Sequence, residues 1–160
     1  MKKTILLFSI SFLIISCSKE NTDYSNLINK HISNVEVENF LNKIGSDFKM
    51  NDNYGRKTYK YENDGIELSF TKTDTLKAIF FFTDKLANEI QLPYGLKKSD
   101  TRKDVESKIG KQEKLFAGLN NLNVYYFDKH LSIRYKSKDT VNMNNAIKHV
   151  SVQKWDKKPL

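Results

Sequence analysis

Few residues in this chain could do covalent or metal chemistry. Cys17 is the single cysteine among 160 residues, and the histidines are His31, His130 and His149. A lone thiol can attack an electrophile or carry a covalent group, but it cannot close a disulfide within the chain. No histidine has a second one four residues on, and no acid flanks a pair of them at ligand spacing, so no metal site is indicated. His130 falls at a turn and His149 on the outward parity of the last strand, where both read as solvated. Six glycines leave no phosphate-binding loop, and no G-x-S-x-G elbow is present. The acids are scattered singly, so a carboxylate pair of the glycosidase kind would have to be assembled by the fold. The residues therefore point to a non-enzymatic protein with no cofactor. A hydrolase or small-ligand carrier is the alternative that a deep, polar-lined pocket would support.

The aromatic residues carry more information. Tyr59 and Tyr61 share one parity of a strand pattern, and Tyr54 stands just before them. Phe80-Phe81-Phe82 and Tyr125-Tyr126-Phe127 place rings on both faces of their strands. A helical layer can cover only one face of a sheet. The surplus rings Tyr54, Tyr59, Tyr61, Phe80, Phe82, Tyr125 and Phe127 are thus candidates for a partner-binding face, because aromatic side chains supply much contact area at low entropic cost. The competing expectation is that two sheets pack on each other and bury them.

The elements that must position these rings recur along the chain. Val35–Gly45 has a short helical pattern with Ser33 and Glu36 as a capping box, and Gly45 suits a left-handed C-terminal stop. Thr101–Gly110 repeats it 65 residues on, capped by Asp100 or Thr101 and stopped by Gly110. After a loop in each half, Thr58–Tyr61 and Ile66–Phe70 flank the turn Asn63-Asp64-Gly65. Val124–Phe127 and Leu131–Tyr135 flank a turn near Lys129. A further strand follows in each half, Leu76–Phe82 and Ala146–Gln153, and the second is reached through the longer loop 136–145. Ile66, Leu68 and Phe70 correspond in parity to Leu131, Ile133 and Tyr135, as expected of a sheet with one covered face. Phe40, Leu41, Ile44, Val105 and Ile109 are the expected cover. The expectation is an α+β fold of two tandem units, each a short helix on an antiparallel meander, at 33–83 and 100–154. Residues 84–99 form a connector turned by Pro93 and Gly95, and 155–160 form a tail.

The amino terminus is of another kind. Met1-Lys2-Lys3 precedes an eleven-residue apolar run, Ile5–Ile15, and then Ser16-Cys17. That run suits the hydrophobic region of a signal peptide and is too short to span a bilayer. Ile14-Ile15-Ser16-Cys17 resembles the bacterial lipobox. The resemblance implies cleavage after residue 16, a diacylglyceryl group on the Cys17 thiol and acylation of the new amino terminus. It implies anchoring in the cell envelope, with Ser18 favouring the outer over the inner membrane. Residues 17–32 would hold the lipidated Cys and a tether. Loss of the signal takes away two lysines and lowers the net charge from +8 to +6. The remaining excess serves solubility first, and beyond that suits an anionic bilayer surface or an acidic protein partner rather than nucleic acid. The run Lys97, Lys98, Arg102, Lys103, Lys108, Lys111 and Lys114 is interleaved with acids and reads as a solvated helix face.

Ile44-Gly45, Ile109-Gly110 and Leu92-Pro-Tyr-Gly-Leu96 leading into Ser99–Val105 make the body similar to a bacterial envelope superfamily. It includes the β-lactamase inhibitor proteins and the small assembly lipoprotein of the outer-membrane barrel-insertion machine. The Pro-x-Gly-Leu pattern before a helix also resembles small immunity proteins that neutralise interbacterial toxins. The resemblance implies a non-catalytic protein that binds a protein partner, inhibitor- or immunity-like. Outer-membrane assembly or maintenance is the second implied role.

Overall fold

The computed structural model describes residues 22–155. Cys17 and the signal segment lie outside them. One antiparallel sheet of eight strands dominates the chain, in the order β1-β2-β3-β4-β8-β7-β6-β5. The strands are β1 (Lys49–Asn53), β2 (Arg56–Tyr61), β3 (Ile66–Thr71), β4 (Leu76–Phe82), β5 (Lys114–Ala117), β6 (Leu122–Tyr126), β7 (Leu131–Tyr135) and β8 (Ile147–Gln153). Two short helices, α1 (Val35–Ile44) and α2 (Arg102–Ile109), accompany it.

The expected α+β pair of tandem helix-on-meander units is therefore corrected. The protein is predominantly β, and its strands form one continuous sheet. The physical reason lies at the seam. β4 ends one meander and β8 the other, and each alone would present an edge of unpaired backbone groups. Pairing them antiparallel removes both edges and keeps parity: Phe81 lies opposite Val150 and Ile79 opposite Val152 on one face, Phe80 opposite Ser151 and Phe82 opposite His149 on the other. β1 and β5 fall in segments whose sequence predicts no strand. All five β1 residues are exposed, so Lys-Met-Asn-Asp-Asn carries no apolar alternation to mark it.

The core lies on one face only. Its rows cross the seam without a break, as in Tyr61, Ile66, Phe81, Val150, Ile133 and Val124, each opposite the next. All six are at most 2% exposed. Val37, Phe40 and Ile44 from α1, Val105 from α2, and Leu86, Ile90, Leu92 and Leu96 from the connector cover this face. Within the 17–32 segment, Tyr24, Leu27 and Ile28 join that cover. The Tyr24 hydroxyl donates to the Gln91 carbonyl at 2.8 Å, and burial pushes its pKa up to about 12. Tyr24 is thus part of the packed body.

Local chemistry explains the helix limits. Asn34, rather than Ser33, caps α1 by accepting from Glu36 N. Thr101 and Asp104 form a reciprocal capping box on α2. Gly45 and Gly110 end the helices at φ 93° and 90° with ψ near 180°, which is outside the expected left-handed helical region. Glycine alone adopts that conformation readily. Gly65 is needed for a second reason: a Cβ there would meet Leu86 N at 2.6 Å, where the connector crosses the β2–β3 turn.

Candidate functional site

The face of the sheet opposite the helices carries no layer of secondary structure among the described residues, and its side chains are set by register. One row runs Lys49, Lys60, Glu67, Phe80, Ser151, Ser132, Tyr125, Lys114 across all eight strands. The next runs Phe82, His149, Arg134, Asn123, Phe116. The wing formed by β1–β3 is polar. The centre and the other wing hold the rings.

Two aromatic ridges stand there. Phe80 and Phe82 each meet the His149 ring edge-on, with centroids 6.4 and 5.7 Å away. Tyr125 stacks on Phe127 at 5.7 Å, and Trp155 packs edge-on against both. Between the ridges lies a trough floored by small side chains. Ser132 Oγ and Ser151 Oγ are 2.6 Å apart, and Ser151 is only 2% exposed although no helix covers it. Its cross-strand neighbours on this face are Phe80 and Ser132. Arg134 borders the trough, and its Nε donates to Asn123 Oδ1 at 2.8 Å. Burial, with Arg134 and Lys148 nearby, holds the His149 pKa down at about 4. The ring is therefore neutral near pH 7 and serves as an aromatic rather than a cation. Among the described residues it makes no hydrogen bond to either serine. The solvated His149 expected from parity is instead half-buried.

The seven aromatic candidates do not share one face. Phe80, Phe82, Tyr125 and Phe127 lie together as described. Tyr54 sits at the β1–β2 turn, fully exposed, with φ 52°. Tyr59 and Tyr61 point to the helix side. Tyr61 is 2% exposed, and burial raises its pKa to about 12. Tyr59 packs edge-on against Phe48 and Phe70, with centroids 4.9 and 5.1 Å away. Both tyrosines line an open groove of about 430 Å³ between α1 and β1–β2, with Ile32, Leu41 and Phe48. Its lining offers few polar groups and no arrangement of acid, base and nucleophile. Reading by parity missed Trp155, Arg134 and the two serines. Trp155 follows the last strand and carries no period, and the serines acquire meaning only from being opposite each other.

Other polar groups serve the fold. In the basic run, Arg102 is 6% exposed and its Nε pairs with Glu106 at 3.2 Å. Lys108 holds the buried Asp100 carboxylate at 2.6 Å. The run expected to be a solvated face is thus anchored at two positions. Among the described residues no three His, Cys, Asp or Glu side chains gather as metal ligands would, and no helix is long and apolar enough to cross a membrane.

Comparison with protein-family models finds no match, and no curated protein matches the chain. Among solved structures, the chain is similar to a DUF4309 family protein (YjgB) from Bacillus subtilis. Identity is 18% over 69% of this chain and 68% of that one, with a TM-score of 0.38.

Proposed function

We infer that this protein is a non-catalytic lipoprotein of the bacterial envelope, anchored through Cys17, and that it binds a protein partner on the open face of its sheet in an inhibitor- or immunity-like role. The observation that carries the reading is the pair of aromatic ridges, Phe80/Phe82 and Tyr125/Phe127/Trp155, standing over a small-residue trough. Half-exposed rings around a buried centre are the composition of an interface core. A catalytic role would need convergent acid, base and nucleophile. The trough offers a serine pair and a neutral imidazole not bonded to it.

The anchor limits where the partner can lie. Tyr24 is buried in the body, so its distance from Cys17 is at most roughly 25 Å even at full extension. The partner is then met close to the bilayer.

Photo-crosslinking in cells tests the reading. A benzoylphenylalanine replacing Tyr125 should give one discrete protein adduct, while the same group at Glu38, on the solvent side of α1, should give none. Equal labelling from both positions, or none from Tyr125, would overturn it. Metabolic labelling with a fatty acid, lost in Cys17→Ala, tests the anchor separately.

A further inference from the structure

The outward strand positions of the open face have an unequal charge. They include Lys49, Arg56, Lys60, Lys114 and Arg134 against one acid, Glu67, and Lys60 already approaches that acid at 3.6 Å. Most of these cations stand on the outer strands. Arg134 does not: it is on β7, beside the seam, half-buried, and next to the trough between the ridges.

Its surroundings orient it without neutralising it. Among the described residues the guanidinium makes a single hydrogen bond, from Nε to Asn123 Oδ1. Among the described residues its terminal nitrogens, the pair best matched to a carboxylate, take part in no hydrogen bond. Opposite it stands His149, uncharged near pH 7. On the adjacent row the Ser132–Ser151 contact uses one of two hydroxyl hydrogens, so one remains to donate. Half-buried aromatic walls lower the local dielectric and strengthen any pairing made there. A fixed cation, a spare hydroxyl donor and two apolar walls match one carboxylate carried on an apolar stem.

We propose that the Arg134 corner of the trough seats an acidic side chain, Asp or Glu, projecting from a loop of the protein partner, with apolar neighbours on that loop lying against Phe80/Phe82 and Tyr125/Trp155. The inference rests on the open face being the docking surface. A bilayer is the poorer match, because headgroups need dispersed, protruding cations, whereas this cation is recessed between rings.

The test pans a random peptide display library on the full chain in mild detergent, alongside Arg134→Met, Arg134→Lys and Phe82→Ala forms whose folding is checked by thermal melting. Peptides selected on the unaltered chain should share an Asp or Glu beside apolar residues. One such peptide should bind at least about tenfold more weakly to Arg134→Met. Arg134→Lys should recover part of the loss, and changing the peptide's own acid to its amide should cost nothing further in Arg134→Met. Selected peptides without acids, or affinity within about twofold in Arg134→Met, would overturn the proposal. If such peptides still lose binding in Phe82→Ala, the docking face stands and only its acidic specificity fails. If Phe82→Ala also has no effect, both fall. Binding of phosphatidylglycerol vesicles, lost in Arg134→Met and unmatched by any peptide, would transfer the corner to lipid and overturn the proposal.

Discussion

The two faces of the one sheet are built from the same strands and do opposite things. Phe81 and Phe80 are neighbours in sequence. Phe81 is sealed under the N-terminal turn, its ring 5.1 Å from that of Tyr24; Phe80 stands half-exposed against His149. The covered face is closed by α1, α2 and the connector, so each ring there contributes to stability. Among the described residues the open face is closed only by its own side chains, so its rings stay half-exposed. The contrast shows how an eight-stranded sheet can hold a core on one side and leave rings half-exposed on the other.

Substitutions can break or sharpen that contrast. Phe81→Ala should lose about 3–5 kcal/mol of stability. Phe80→Ala should lose about 1 kcal/mol or less while weakening partner binding. Denaturant unfolding of both variants decides it, and equal losses would mean that the open face is a second core. Next in size is Gly65→Ala, at about 2–4 kcal/mol, because a positive φ and a backbone clash with the connector add together. Gly45→Ala keeps only the strain, with nothing within 4 Å of its Cβ, and should cost about 1–3 kcal/mol. The difference between them reads out how tightly the connector closes the covered face.

The pH dependence comes third. His149 has a folded pKa of about 4 against an ordinary 6.5. The unfolded chain therefore binds the proton first, so stability is full above pH 6.5 and falls as pH drops toward 4. The loss has an upper limit of roughly 3 kcal/mol, reduced by the ring's partial exposure. His149→Phe should flatten that part of the stability profile. The smallest effect is expected at Tyr135. Its hydroxyl and that of Tyr126 are buried with no hydrogen-bond partner among the described residues, and burial raises both pKa values. Tyr135→Phe should change stability by no more than about 1 kcal/mol, upward if at all, as thermal melting would show.

Much of this was legible in the chain. The spans of β3, β4 and β7, the two helices ending at Ile-Gly and the parity of Ile66-Leu68-Phe70 all follow from local period and from glycine at positive φ. β1 escaped because an edge strand with both faces wet needs no apolar alternation. The single sheet escaped because β4–β8 pairing joins residues about 70 apart and carries no local signal. Part of the candidate face was visible: ring parity marks Phe80, Phe82, Tyr125 and Phe127, which the register places on the side opposite the helices. Tyr59 and Tyr61 had the same outward look, but they fall on the core side because Tyr59 is opposite Leu68 and Tyr61 opposite Ile66.

By itself the sequence determined which residues alternate and where each helix stops. Those are properties of neighbours in the chain, set by sterics and by the period of strand and helix. Tertiary structure alone decided that the meanders merge into one sheet, which parity faces the helices, and that Arg134, His149, Ser132 and Ser151 meet beside two ridges of rings. Those follow from strand register, because sheet hydrogen bonding places side chains opposite one another that nothing in their spacing connects.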